Sequence, residues 1–400
     1  MRPAILLLLT LLLGACSLMQ RDDSLVLHDL QLEVDPLWAR ATGELPASAA
    51  AQLPPLLRGD TLYVADVAGR VMALDAHNGE ILWRVKLPAR LSGGPGEGQG
   101  LLLVASEKAR LFALERDSGE RRWETTICSE MLATPAVTAR QVLVQCVDGR
   151  LLALDPADGR RIWTYQRVPP ALNLRGTASP MVVGDRVLAG FADGSLVALN
   201  LASGELQWES TIAIPRGRND LERMVDVDGR FVVAEGVIYA VSYQGRVAAL
   251  SLENGRFIWS REMSSHTGVA LHGDQLYLAD EQGQVWSLDR RTGATLWRQD
   301  AMSGQRLSPL AVTATVVSVV DDQGAIHWLD ARDGHILARQ SLARSWAYFH
   351  YPWEDEDGDR PRPDHAVSTY PLVAGDRLYI RDNSGALVAY RLRTQGGAGS

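Results

Sequence analysis

One phrase returns along this chain at nearly even intervals, and it restricts the possible folds more than any other feature. Ala73-Leu74-Asp75 leads to Gly79 and Trp83, and the same order of residue types runs from Ala113-Leu114-Glu115 to Gly119 and Trp123 and from Ala153-Leu154-Asp155 to Gly159 and Trp163. It returns from Ala198 to Trp208, from Ala249 to Trp259 and from Ser287 to Trp297. A seventh copy, Trp328-Leu329-Asp330 to Gly334, has Ala338 where the Trp belongs, and an eighth begins at Val388-Ala389-Tyr390 before the chain ends. Each copy has the signature of a β-hairpin: a strand, a polar turn with Gly at a position suited to positive φ, and a strand with Trp on its buried side. Upstream lies another strand and Gly turn, as in TLYVADVAGRVMALD, and before that a short run such as ATPAVTA. Four strands in roughly 40 residues is the period of propeller blades, whereas a helical solenoid would show 3.6-residue periodicity.

The eighth copy supplies three strands. The fourth is read at the other end of the chain, where DPLWARATGEL places Trp38 in the position of a repeat Trp. The N-terminal strand is therefore expected to complete the last blade and close the ring, which removes open sheet edges. The expectation is an all-β, eight-bladed β-propeller of four-stranded antiparallel blades over residues 37–394, with 395–400 as a flexible tail. The repeat tryptophans are read as packing between neighbouring blades, not as an aromatic binding box. Trp346 and Trp353 stand outside the repeat, in a stretch (345–366, SWAYFHYPWEDEDGDRPRPDHA) read as a loop inserted before the last blade.

With 400 residues and 46% hydrophobic content, the chain can bury a large core. Its formal net charge is -8 and it has no basic block, which argues against nucleic acid as a partner. No apolar run reaches the ~20 residues of a membrane-spanning helix. Residues 1–15 read instead as a signal peptide, with Arg2 as the positive end and Ile5 to Leu13 as a compact apolar stretch. Leu13-Gly14-Ala15-Cys16 then forms a lipobox, in which Cys16 becomes the acylated N-terminus of a tether running to residue 36. An ordinary secretory signal with an incidental Cys is the alternative; a Cys placed directly after the small residues favours lipidation. Ser17 stands where an inner-membrane retention signal usually has Asp, which points to the outer membrane, facing the periplasm. That compartment is oxidising, and the two remaining cysteines, Cys128 and Cys146, leave none over if they pair. Cys128 follows an outer strand and Cys146 ends the second strand of the next blade. Both positions fall on one face, so a disulfide within the ~4.4–6.8 Å Cα window is open to them, with two free thiols as the alternative.

The repeat resembles the pyrroloquinoline-quinone-type propeller repeat of quinoprotein dehydrogenases and their non-catalytic relatives. With the lipobox, the shared eighth blade, LNLRGTASP (172–180) and RMVDVDG (223–229), the chain is similar to the BamB family, the lipoprotein subunits of the machinery that folds β-barrels into the bacterial outer membrane. The resemblance spans essentially the whole mature chain. The repeat alone is common to many proteins, and the two irregular stretches make the match specific. It implies a propeller that docks on the periplasmic domains of BamA within the Bam complex and uses no enzymatic cofactor. It leaves open whether unfolded outer-membrane proteins are bound directly, and it carries no role for 345–366.

The residues themselves offer little chemistry. There is no G-x-S-x-G, H-E-x-x-H or P-loop. GGPGEGQG (93–100) lacks the Lys-Ser/Thr of a phosphate cradle and reads as a turn between strands. A quinone-dependent dehydrogenase is expected to show paired adjacent cysteines and a calcium site, and Cys128 and Cys146 are not adjacent. EDEDGD misses calcium-loop spacing: counted from Asp355, Gly358 is fourth and Ala366 twelfth. His350 and His365 are read as loop residues, not ligands. The expectation is no catalytic residue, no metal and no cofactor. The competing readings are a quinone-dependent dehydrogenase and a propeller scaffold of another envelope complex.

Spacing does single out one region. The Trp-to-Trp interval is 40 in the first repeats, 45 from Trp163 to Trp208, 51 from Trp208 to Trp259, and 38 from there to Trp297. The extra residues lie between an outer strand and the next blade's first strand. Such connections emerge on one propeller face, and these two belong to neighbouring blades, so a rigid scaffold would present them side by side. In the first, Leu172 and Leu174 alternate and are followed by Arg175, with its planar donors. In the second, Glu222, Asp226 and Asp228 cluster beside Met224. The resemblance assigns Leu172, Leu174, Arg175, Asp226 and Asp228 to contact with BamA. The alternative is that the leucines plug the channel and Arg175 pairs internally with an Asp. Asp226 and Asp228 keep two open roles, meeting the partner or orienting Arg175.

Overall fold

A computed structural model describes residues 32–45, 53–170, 178–214, 225–227, 229–349 and 364–394. These residues form eight sheets of four antiparallel strands, seven of them paired in sequence order, and one helix, Leu342–Phe349. Blade 1 consists of Leu56–Arg58, Thr61–Ala65, Arg70–Asp75 and Ile81–Lys86, and blades 2 to 7 repeat this plan up to Ser341. First strands of neighbouring blades touch: Ala136–Val137 meets Leu91–Gly98, and Ala311–Val312 meets both Ala270–His272 and Leu372–Ala374. First strands therefore ring the axis and fourth strands form the rim. The molecule is the eight-bladed β-propeller that the repeat predicts.

Burial explains the strand sequences. Second and third strands are covered on both faces by neighbouring blades, so Thr61–Ala65 and Arg70–Asp75 are almost continuously buried and read as apolar runs. Fourth strands alternate, because one side packs inward and the other meets water: Ile81–Lys86 is exposed at every second residue from Leu82.

The turn between third and fourth strands carries the repeat's most specific residues. In blade 1, Asp75 Oδ1 accepts the backbone N–H groups of His77 and Asn78 at 2.7 and 3.2 Å, and Gly79, at φ +71°, donates to the Asp75 carbonyl. The ring of Trp38, from the preceding blade, lies flat on this turn. A Cβ on Gly79 would come within 2.6 Å of it, and the indole N–H donates to the Ala76 carbonyl at 3.2 Å. The same contact recurs with Trp83 on Gly119, Trp123 on Gly159, Trp163 on Gly204, Trp208 on Gly255, Trp259 on Gly293 and Trp297 on Gly334. In each the indole N–H finds a turn carbonyl, from Arg116 through to Ala331. Glycine is required here twice over, by its positive φ and by the ring above it.

Blades 7 and 8 meet differently. The third and fourth strands of blade 8, Ala386–Thr394 and Leu32–Ala41, come from opposite ends of the chain, and their pairing runs from Ala41↔Ala386 to Leu32↔Thr394. No hairpin turn joins them, so there is neither a Gly platform nor a turn carbonyl for a Trp to cover. Position 338 is Ala. Helix Leu342–Phe349 fills the space, packing on Ile336–Ser341, Ala386–Thr394 and Leu32–Ala41. It places Leu342 and Trp346 in one core with Trp328 and Tyr390, whose rings meet edge-on at 6.0 Å. Arg381, fully buried, staples blade 8 to blade 1 by donating to the carbonyls of Thr42, Gly43, Leu53 and Ala65 at 2.8–3.2 Å. Burial pushes its guanidinium down to about 10, against the pull of Asp66 and Asp382.

Three boundaries differ from the sequence reading. The closing strand begins at Leu32, not at residue 37, because Leu32 and Val34 pack into the core between blades 7 and 8. The stretch 345–366 is not a loop throughout, since Ser345 to Phe349 belong to the helix; residues 350–363, with Trp353 and the acidic run, lie outside the described residues. The glycine-rich stretch is a strand, Leu91–Gly98, the first of blade 2. Its glycines admit the approach to blade 3, since a Cβ on Gly93 or Gly96 would collide with the Met131 or Pro135 carbonyl.

Candidate functional site

The connections between blades leave on one face, shared with the turns between second and third strands. A backbone hydrogen bond fixes most of them at their start: Leu87 to Gly69, Ile127 to Ala109, Arg167 to Gly149, Ile212 to Gly194, Leu342 to Gly324 and Thr42 to Gly385, all at 2.8–2.9 Å. The two long connections rise from this face after blades 3 and 4. Leu172, Leu174, Arg175, Glu222, Met224 and Asp228 lie outside the described residues, as does Cys16. What the structure gives is the frame that carries them.

Arg167 anchors the start of the first connection. Its guanidinium donates to Asp193 Oδ2 at 2.6 and 3.0 Å and to Glu209 Oε1 at 2.9 Å, and its Cζ lies 5.5 Å from the Phe191 ring. Three residues of blade 4 thus hold the exit of blade 3. The Glu209 hydrogen bond, working against burial, raises the guanidinium pKa and keeps the cation committed to this clamp. The next residue, Val168, is 85% exposed. The second connection begins with Ile212 and Ala213 buried and Ile214 half exposed, beside a cleft shared with Gln244, Arg246 and Glu262 of blade 5.

The second connection returns against blade 4. Val227 is buried over Gly190 of blade 4, so closely that a Cβ on Gly190 would collide with the Val227 carbonyl. The carbonyl of the same Gly190 accepts Gln145 Nε2, from blade 3, at 2.6 Å. Gly190 therefore joins blade 3 to the returning second connection. Asp226 forms an isolated bridge with Tyr243, whose N–H donates to its carbonyl at 3.0 Å. At 1% exposure, Asp226 is buried. Blade 4, through Gly190 under Val227, and blade 5, through Tyr243 beside Asp226, cover the segment from two sides.

Next to Gln145, Cys146 is joined to Cys128 in a disulfide with a Cα–Cα distance of 6.2 Å. The bond ties the connection entering blade 3 to a turn of that blade. Among the described residues, Cys128, Cys146 and Asp148 also form the one group of potential metal ligands that converges, and there the sulfurs are spent on each other. Two His–Asp pairs sit under turns of blades 7 and 8. His327 lies 2.8 Å from Asp321, both buried, and His365 Nδ1 lies 2.7 Å from Asp382. Burial alone would raise Asp321, but His327 and the N–H groups of Ala325 and Gln323 hold it below the usual carboxylate range. These pairs pin turns.

Comparison with known proteins agrees with this architecture. The sequence profile described as "Outer membrane protein assembly factor BamB" matches residues 35–96, 67–299 and 292–396. The protein of that name from Alkalilimnicola ehrlichii is 44% identical over 391 residues, covering 98% of this chain and 97% of its own. That of Pseudomonas aeruginosa is 45% identical, covering 89% and 88%, and that of Escherichia coli 33% identical, covering 85% and 91%. Among solved structures, BamB from Moraxella catarrhalis superposes with a TM-score of 0.77 at 24% identity, over 90% of this chain and all of that one. The quinohemoprotein alcohol dehydrogenase of Comamonas testosteroni superposes with a TM-score of 0.66 at 13% identity, covering 92% of this chain and 77% of its own, a likeness of fold alone.

Proposed function

Because the chain belongs to the BamB family of outer membrane protein assembly factors, we propose that it is a non-catalytic scaffold of the β-barrel assembly complex, docking on the periplasmic domains of BamA. Cys16 carries the lipid that holds it at the outer membrane, with the propeller in the periplasm. Several acyl chains on one Cys anchor stably, where a single chain binds only marginally. The docking surface is the pair of long connections, with Leu172 and Leu174 as apolar anchors and Arg175 as the bidentate donor. Asp226, and Asp228 beside it, hold the second connection in register with the first.

The observation that carries this reading is the junction at Gly190. Gln145 of blade 3 and Val227 of the second connection converge on one glycine of blade 4, so the two irregular stretches grow from a single rigid platform. Binding residues on loops above such a platform lose little conformational freedom on association. The test is affinity purification of the lipidated full-length chain from solubilised envelope, beside a chain carrying Leu172→Ala and Leu174→Ala. Recovery of BamA with the first and its loss with the second supports the reading. Equal recovery with both, or no barrel-assembly subunit with either, contradicts it.

A further inference from the structure

Arg230 closes the second connection, and three blades converge on its peptide unit. Its N–H donates to the hydroxyl of Tyr370 at 2.7 Å, and its carbonyl accepts the N–H of Val269 at 2.9 Å. Its guanidinium lies over the Tyr370 ring, with Cζ 5.6 Å from the centroid. Arg230 precedes the first strand of blade 5, Val269 that of blade 6, and Tyr370 that of blade 8. Blades 5 and 8 are not neighbours in the ring, so the Tyr370–Arg230 contact crosses the mouth of the central channel. The fit is close. Gly268 has φ +76°, and a Cβ there would stand 2.5 Å from Arg230 N, 2.6 Å from its carbonyl oxygen and 2.9 Å from the Tyr370 hydroxyl.

We propose that Tyr370 is a positioning residue for the docking connection, holding residues 225–231 from across the channel mouth so that blade 8 sets the docking surface together with blades 4 and 5. This rests on the reading that the connection docks. A tyrosine suits the task because its oxygen accepts the amide N–H while its ring face takes the guanidinium, two grips from one side chain on one residue. From the other end, Val227 is seated on Gly190 and Asp226 on Tyr243. The segment is thus tied down at both ends, with Asp228 between. Tyr370 also stands just beyond the 345–366 stretch, so the connection into blade 8 and the connection into blade 5 share one contact.

The test uses the full chain and two readouts. Tyr370→Phe keeps the ring under Arg230 and removes only the acceptor. Amide exchange in peptides covering 225–231 should then rise about 5-fold, the worth of one hydrogen bond, while the blade strands exchange as before. Affinity for the BamA periplasmic domains should fall by a similar factor at an unchanged Tm. Gly268→Ala, which pushes the same contact apart from the opposite side, should reproduce both effects. Unchanged exchange at 225–231 in Tyr370→Phe overturns the inference whatever the affinity. Faster exchange with undiminished affinity also overturns it, if Arg175→Ala measured alongside does weaken binding. If Arg175→Ala leaves affinity unchanged too, the docking reading itself falls, and this inference with it.

Discussion

Between blades 4 and 5, the indole of Trp208 covers Gly255 and donates to the Leu252 carbonyl at 3.1 Å. Between blades 7 and 8, Ala338 stands in that position and a helix carries Trp346 into the gap from another direction. The first junction is made by local sequence, since a hairpin turn and a Trp some forty residues apart suffice, and it is copied around the ring. The eighth joins the two ends of the chain. Having no turn to pack against, it needs a helix and an edge-on pair of rings, Trp328 and Tyr390. A closed ring of repeats thus has one place where the repeat cannot supply its own seal, and the irregular residues collect there.

The largest effect should come from breaking closure itself. A chain beginning at residue 47 lacks the fourth strand of blade 8 and loses Trp38, 6% exposed. Its loss in stability should exceed the ~3–5 kcal/mol typical of removing one buried aromatic, because a sheet edge opens as well. Cooperative melting at the full-length temperature would show that the ring closes elsewhere. At a regular junction, Trp208→Ala should cost ~3–5 kcal/mol in denaturant unfolding, since the ring is 9% exposed and fills the interface of two blades.

Ala338→Trp sharpens the comparison by completing the repeat on paper. If the eighth junction has no platform for an indole, this restoration should destabilise by ~1–3 kcal/mol through overpacking against the helix. A gain in Tm would mean the junction can accept the ordinary device. The smallest effect concerns His365, which lies against the blade 7 turn at Gly324 and bonds to Asp382 of blade 8. That hydrogen bond, against burial, raises its pKa above the ordinary histidine value. Its stabilising contribution is therefore complete below about pH 6.5 and is lost as pH rises through the raised folded value. Tm curves of wild type and His365→Gln should lie furthest apart below about pH 6.5 and converge as the pH rises above it; a gap that stays constant with pH would rule the ion pair out.

Most of the fold was readable because each blade is a local sentence. Gly79, Trp83 and their copies encode hairpins and blade contacts within one repeat length, and Trp38 revealed the shared blade by matching the pattern. The helix was not readable. Eight residues with a single repeat failure at Ala338 beside them give too short a period to separate from an inserted loop. The strand Leu91–Gly98 was hidden for the opposite reason: its glycines look like a turn, and the need for them lies in the backbone of Met131 and Pro135, which approach from the next blade. At the candidate site, spacing located both long connections but not their frame. Gln145 to Gly190, and Arg230 to Tyr370 across 140 residues, leave no periodic trace.

On the proposed reading, the long connections form a docking surface on a scaffold whose stability does not depend on them. That reading is tested most directly by measuring, on the same preparation, the Tm of Arg175→Ala and its affinity for the BamA periplasmic domains. The expected result is an unchanged Tm and binding weaker by ~2 kcal/mol, roughly 30-fold in Kd. Unchanged affinity, or weaker binding accompanied by a large fall in Tm, would contradict it and return Arg175 to a role inside the propeller.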